Sequence, residues 1–448
     1  MIRHLRDQRS DAKGQRMATA SLEPAPRRNG EGNVIEDRKE PRIASRPPQI
    51  SNQQSAISIA LLTGGGDKPY ALGLARALTA QAILVDFIGS DDLRVLELLN
   101  DPRVRFLNLR GDQRSEVSLA AKMTRVGNYY WRLICYAAAA KPTVFHILWN
   151  NKVEFFDRTL LMLYYRLLGK KIIFTAHNVN AGKRDSNDSW MNRLSLKIQY
   201  HLSHHIFVHS EGMKAELTSQ FNIAAGKVSA IPFGINNTVP NTAMSTVAAK
   251  QQLGVSRSDK TILFFGHIAP YKGLEYLISA FTEILKRDGS YRLIIVGAPK
   301  RCADYWNQIA LTIVRSRIGD RVIQKIEYIP DEETELYFKA ADVLILPYRY
   351  VFQSGVLFLG YSFGLPAIAS DVGTLKEEII EGQTGFVFKP QDISDMIRKI
   401  DTYFDSELFR NLESRRAQIK QYANERYSWS KVAAITRAVY SRLLTSDF

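Results

Sequence analysis

Cysteine is almost absent: Cys135 and Cys302 are the only two in 448 residues. Thiols so far apart offer neither a disulfide framework nor a cysteine-built metal centre, which points to a reducing cytoplasm. Long apolar runs are missing as well. A membrane-spanning helix needs roughly 18–20 apolar residues, and the nearest approach, LLMLYYRLL at 160–168, is broken by Arg166 and followed by Gly169-Lys170-Lys171. Its length suits a core-facing crossover helix; its basic and aromatic residues suit a helix resting on anionic lipid. No zinc finger, RNP pattern or basic zipper occurs, so nucleic acid ranks last among partners for a basic chain. His204, His205 and His209 do not take the H-E-x-x-H spacing, and no metal is assigned. His146 lies inside an apolar run and reads as a satisfied core residue.

What is present is positive charge. Of the formal net +15, residues 1–55 carry 11 Lys+Arg against 7 Asp+Glu, and residues 56–235 carry 22 against 14. The first 55 residues are rich in Arg, Pro, Ser, Asn and Gln without apolar periodicity, as a disordered basic tail would be, and lack the apolar core of a secretory signal. The excess in 56–235 favours phosphorylated ligands or a membrane surface.

From 57 onward, short apolar runs alternate with helical stretches. The runs 57–62, 83–88, 104–107, 144–148, 172–175, 206–208 and 228–231 are followed, after a link poor in bulky apolar residues, by 262–265, 293–296, 322–326, 343–346, 367–369 and 386–388. Such alternation predicts βαβ units and parallel sheets, and 45% hydrophobic content over this length supports two cores. The expected fold is α/β: two Rossmann-like doubly wound domains, 56–235 and 251–430, joined by a linker at 236–250 and facing an interdomain cleft.

Ligands of such sheets sit at the carboxyl ends of strands, where helix N-termini present N–H groups to anions. Three loops fall there. In Thr63-Gly64-Gly65-Gly66-Asp67, Gly65 and Gly66 can bring backbone close to a bound group. The spacing is not G-x-G-x-x-G, and the acidic residue expected after the second strand is divided among Asp86, Asp91 and Asp92, so a nicotinamide or flavin site is a weak reading. In the second loop, Gly266-His267 leads to Lys272-Gly273 at a helix start, where a lysine is either a phosphate ligand or a solvated surface charge. The third ends in Gln353-Ser354-Gly355-Val356: Ser354 suits an N-cap and Gly355 admits a phosphate or sugar to the backbone, unless this is an ordinary βα connection. His177, just beyond 172–175, occupies the same edge and is as much a structural as a functional candidate.

The succession Gly364-Leu365-Pro366, Ser370-Asp371-Val372-Gly373 and Gly382-Gln383-Thr384-Gly385-Phe386 resembles, in order and spacing, the donor-binding half of glycosyltransferase family 4. The resemblance runs over about 57–444 and is strongest over 262–390. It implies a GT-B fold whose first domain takes an acceptor and whose second takes a UDP- or GDP-sugar, with the last helix, 431–448, crossing back to the first domain. It implies a retaining, hexosyltransferase-like, metal-independent transfer to the hydroxyl of a glycan or lipid-linked acceptor, without a cofactor. The family's commonest setting is cell-envelope or exopolysaccharide synthesis; the basic excess of the first domain, where the family binds acceptors, suggests a cytoplasmic enzyme in peripheral contact with anionic membrane at its inner face.

By the family's motifs, Gly65 and Gly66 face the cleft; Gly266, Lys272 and Gly273 bind the pyrophosphate, with His267 in an arginine's place; and Tyr328 contacts the base. Gln353, Ser354, Gly355 and Val356 hold the donor, and His177 and Lys272 act at the reacting centre. Two glutamates usual in the family fall on Phe352 and Gly360, neither of which accepts a hydrogen bond through its side chain. A catalytically inactive nucleotide-sugar-binding protein, or a nicotinamide or nucleotide-sugar enzyme of another class, are the alternatives.

Overall fold

Seven strands form a first sheet: β1 Ser58–Leu62, β2 Leu84–Gly89, β3 Val104–Asn108, β4 Val144–Ile147, β5 Lys171–Thr175, β6 His205–Val208 and β7 Val228–Ala230. Six form a second: β8 Lys260–Phe265, β9 Tyr291–Val296, β10 Val322–Lys325, β11 Val343–Leu346, β12 Ala367–Ser370 and β13 Gly385–Phe388. The computed structural model describes residues 57–113, 118–184, 188–237, 239–299 and 302–445; the tail expected at 1–55 lies outside them.

The strand orders are β3-β2-β1-β4-β5-β6-β7 and β10-β9-β8-β11-β12-β13, and all neighbouring strands run parallel. Crossover helices cover both faces of such sheets, so central strands must be apolar at successive positions. VFHI in β4 and VLIL in β11 are buried at every residue. In each sheet the order reverses beside the first strand, between β1 and β4 and between β8 and β11. That reversal parts the following loops and opens a crevice at the carboxyl ends.

Both sheets belong to one compact unit, Gln54–Phe448. Phe233, just after β7, stacks on Phe358 of the second lobe at 5.4 Å, and Phe352 is buried within the apolar cluster of the first lobe. The last helix, Trp429–Thr445, lies on the first lobe. Its Tyr440 hydroxyl is 2.6 Å from His146 Nδ1, and His146 Nε2 is 2.7 Å from Thr175 Oγ1, so the histidine inside β4 is satisfied on both sides. Trp429 at its start donates from Nε1 to the Ile235 carbonyl at 2.9 Å. A Cβ on either Gly73 or Gly234 would stand 2.3 Å from the Trp429 ring, so both positions are kept small by the indole.

In the linker read over 236–250, the described residues are irregular only as far as 245. Thr246–Gln252 is a helix whose first turn is capped by the Ser245 hydroxyl, accepting from Ala248 N–H. It belongs to the second lobe, because the Lys250 ammonium is buried 2.8 Å from the Asp342 carboxylate. Its low apolar content hid it, since a buried ion pair takes the place of an apolar face.

The 160–168 segment forms a helix that packs one face on the core, as the crossover reading expects. Helix Leu160–Leu167 buries Leu161, Met162 and Tyr165 and exposes Leu160, Leu163 and Leu167. Among the described residues no helix is long and apolar enough to cross a membrane.

Candidate active site

The glycine that ends the loop after β8 decides the site's first corner. Gly273 has φ +66°, and a Cβ there would stand 2.1 Å from the Pro347 carbonyl oxygen, so only glycine fits. This locks the turn Pro270–Lys272 against the end of β11 and draws Lys272 inward. Lys272 is 6% exposed, its ammonium donating to the Tyr348 hydroxyl at 3.1 Å and lying 5.0 Å from that ring's centre. A Cβ on Gly266 would come within 3.1 Å of the same Nζ, so Gly266 makes room for the ammonium.

Tyr348 carries the link onward. Burial raises its phenol well above the usual range, so it stays protonated, and its hydroxyl is 3.2 Å from Ser354 Oγ. Ser354 does occupy the N-cap position of helix Gly355–Ser362, yet its side chain makes no capping hydrogen bond. Tyr348 competes for that hydroxyl, so the first turn keeps N–H groups for something else. Gly355 is open: the nearest atom to a Cβ there is Phe233 Cε1 at 4.0 Å. Neither backbone angle nor packing demands a glycine here.

The first lobe supplies the opposite wall. His177, beyond β5, stacks on Trp149, beyond β4, with ring centres 4.1 Å apart and planes 3° apart. Its Nδ1 is 2.9 Å from His209 Nε2, and His209 Nδ1 is 3.4 Å from the Ile231 carbonyl. A carbonyl only accepts, so His209 carries its proton on Nδ1. Burial holds His209 down to about 4, so it is neutral and its Nε2 is a lone pair. His177 must then donate from Nδ1, leaving Nε2 unprotonated. That atom is buried without a partner among the described residues. Burial, then the neighbouring His209, hold His177 well below the ordinary imidazole value, so it stays an uncharged acceptor.

These groups meet. His177, Asp67, Trp149 and Phe233 from one lobe and Lys272, Tyr348, Gln353, Ser354, Gly355 and Val356 from the other line a single cavity of about 220 Å³. Both amide atoms of Gln353 are buried there without a partner among the described residues. The cavity therefore offers one ammonium, one helix N-terminus, one lone pair and one unmet amide, a set suited to an anion joined to a polyhydroxyl group.

Other sequence candidates fall elsewhere. Tyr328 is 75% exposed and is not among the cavity's lining residues, nor is the exposed His267. The space beside Gly65 is taken by Arg110 and that beside Gly66 by the Trp149 ring, so these glycines make room for protein groups while the next residue, Asp67, reaches the cavity. Trp149 and Tyr348 went unread in sequence, and His209 was weighed only as a metal ligand, though each directly follows a strand or its first trailing residue, the edge where ligand contacts concentrate. Gly360, where the family has a glutamate, is buried, and a Cβ there would stand 2.9 Å from Leu344 Cδ2. Among the described residues no group of three or more His, Cys, Asp or Glu is placed to hold a metal ion.

Comparison with known proteins follows the same division. Residues 64–238 match the profile described as Glycosyltransferase Family 4, and residues 259–406 that described as Glycosyl transferases group 1. An uncharacterized glycosyltransferase of Methanocaldococcus jannaschii is 28% identical over 52% of this chain and 58% of its own length. A D-inositol 3-phosphate glycosyltransferase of Corynebacterium efficiens is 24% identical over 62% of this chain and 66% of its own. These matches thus span between half and two thirds of the relatives; one from Corynebacterium glutamicum, 22% identical, covers 86% of this chain and 93% of its own.

Among solved structures, sucrose-phosphate synthase of Thermosynechococcus elongatus superposes with a TM-score of 0.70 at 20% identity, over 87% of this chain and all of that one. Anabaena HepE in complex with UDP-glucose gives 0.65 at 16%, over 87% and 100%. Likeness at such identities speaks for the fold, which is GT-B. With both lobes matched in chain order, the chain belongs to the family 4, group 1 glycosyltransferases.

Proposed function

We propose that this protein moves a sugar, with retention at the anomeric carbon, from a nucleotide diphosphate sugar to a hydroxyl acceptor inside the interlobe cavity. One observation carries the reading: Lys272, the N-terminus of helix Gly355–Ser362 and the lone pair of His177 line the same space. As the glycosidic bond breaks, charge gathers on the departing diphosphate, and a fixed ammonium beside a helix N-terminus stabilises that charge more than it stabilises the bound donor. The countercharge comes from the chain's own lysine, so a metal-independent transfer is part of the proposal. His177 Nε2 and the Gln353 amide are suited to sugar hydroxyls, and the aromatic wall excludes water that would hydrolyse the donor. The UDP-glucose complex of HepE favours a UDP-linked hexose as donor.

A lipid-linked acceptor, met at the inner face of the cell membrane, fits the surface of the first lobe. Met123 and Trp131 on helix Leu119–Ala139, Leu163 and Leu167 on the 160–167 helix, and Trp190 on helix Trp190–Leu202 are exposed. The first two helices are tied by the Tyr164 hydroxyl donating to the Ile134 carbonyl at 3.1 Å. Arg132 and Lys197, on the first and third of these helices, are exposed as well, so the lobe's surface offers both the apolar and the cationic groups that anionic lipid takes. Sedimentation with phosphatidylglycerol vesicles at low salt, and not with phosphatidylcholine, is the expected result; indifference to both removes the membrane from the proposal.

The transfer itself is tested by incubating the full chain with UDP- and GDP-sugars and lipid-linked or cell-extract acceptors, measuring free nucleotide diphosphate and the anomeric configuration of the product. Binding of a nucleotide sugar without release of nucleotide from any donor marks an inactive binding protein. Tight binding of NAD(P) in its place marks another class of enzyme.

A further inference from the structure

Beside the cavity, on the same edge of the first sheet, lies a second concavity built from cations. Arg110 follows β3, Asn151 and Lys152 follow β4, and helix Leu119–Ala139 closes the wall with Arg125 and Tyr129. Arg110 is only 8% exposed, and its guanidinium lies 5.5 Å from the centre of the Tyr129 ring. Its Nη1 is buried with no hydrogen-bond partner among the described residues. A Cβ on Gly65, at φ +77°, would stand 2.1 Å from that nitrogen, so the glycine loop is shaped around the guanidinium.

The cations crowd one another. Lys152 is held below the ordinary lysine value by burial and then by Arg110, Arg125 and Lys122. Asp157 is not itself a lining residue; its Oδ1 accepts from two that are, Tyr130 at 2.9 Å and Asn151 at 3.0 Å. A buried guanidinium donor without an acceptor is costly, and a tetrahedral oxyanion presents several acceptors in the geometry a guanidinium prefers.

We propose that this pocket takes a phosphate carried by the acceptor, so that the enzyme's acceptor is a phosphate ester. The inference rests on the transferase reading and names its acceptor class. The same two loops border both sites: after β4, Trp149 lines the donor cavity and Asn151 the cationic pocket, and in the loop Gly65–Asp67, Gly65 abuts Arg110 while Asp67 lines the cavity. A phosphate anchored at Arg110 leaves the rest of the acceptor to reach across that loop toward His177. A soluble phosphate ester and the headgroup of a phosphate-linked lipid share this chemistry.

Titration calorimetry with inorganic phosphate tests it, on the full chain with the donor cavity filled by whichever of UDP or GDP binds. Phosphate should bind the wild type. R110Q should weaken it at least roughly tenfold, the loss of one charge-assisted hydrogen bond, and K152Q by a smaller factor, with nucleotide affinity unchanged in both. If R110Q does not fold, K152Q and R125Q at the pocket rim carry the comparison. Phosphate bound equally by the wild type and these folded variants, or not bound by the wild type, overturns the inference. Failure of UDP and GDP to bind the wild type sinks the transferase reading, and the phosphate titration is then read on its own. Competition by glycerol 3-phosphate against competition by phosphatidylglycerol vesicles separates the soluble from the lipid source.

Discussion

His209 decides which nitrogen of His177 faces the cavity. Its Nε2 accepts from His177 Nδ1 at 2.9 Å, and its own Nδ1 is committed to the Ile231 carbonyl. His209 is not among the cavity's lining residues, so its part is to position His177. In H209Q the side-chain oxygen can replace the Nε2 acceptor, whereas H209F keeps a ring of similar size and cannot. H209F should lower kcat/KM roughly tenfold, about one hydrogen bond's worth, and H209Q should recover most of it. Equal losses in both variants would mean that His209 serves packing alone.

Buried neutral histidines also set an acid limit. His209 and His205 are held down to about 4 and His146 to about 3, in each case chiefly by burial. Above the unfolded value of 6.5 neither state takes up these protons. Below it the unfolded chain does and the folded chain does not, so stability falls as pH falls, by about 1.4 kcal/mol per pH unit for each such histidine until its folded value is reached. The melting temperature should drop between pH 6.5 and 4.5, and H209Q should flatten the drop. A profile indifferent to pH in that window contradicts the assignment.

Gly360 tests whether the family's glutamate could simply be restored. A Cβ there presses on Leu344 in the core of the second lobe, and a carboxylate would be desolvated without a partner. G360E should cost more than about 4 kcal/mol, visible as a collapsed melting temperature or insoluble protein, with no gain in nucleotide release. A stable and faster G360E would show that the helix can shift to admit the side chain.

Gly355 gives the opposite case. With open space around its Cβ position, G355A should melt with the wild type yet bind nucleoside diphosphate several-fold more weakly, about 1 kcal/mol, because the methyl group stands where a phosphate would approach. Unchanged affinity would place the ligand elsewhere.

Much of this was legible in sequence because parallel sheets advertise themselves. Runs such as Val343–Leu346 are apolar at every position, and their trailing loops then locate the ligand edge. Lys272, Gly355 and His177, read from those loops together with the family's motifs, line one cavity. What stayed hidden depends on contacts distant in the chain. Arg110 matters because Gly65, 45 positions earlier in the numbering of this sequence, clears space for its guanidinium. Ser354 reads as a cap, but Tyr348 takes its hydroxyl, a competition set by the turn at Pro347. The helix Thr246–Gln252 was obscured because its buried face is an ion pair with Asp342.

The most direct test is the affinity of UDP and GDP for the wild type, K272A and H267A, measured by calorimetry with folding checked by circular dichroism. The expected result is tight binding by the wild type, a loss of roughly 10–100-fold in K272A, about 1.4–2.7 kcal/mol, and little change in H267A, whose exposed ring is not part of the cavity wall. A folded K272A that binds either nucleotide as well as the wild type would contradict the claim that Lys272 and the helix at Gly355 hold one diphosphate between the two lobes.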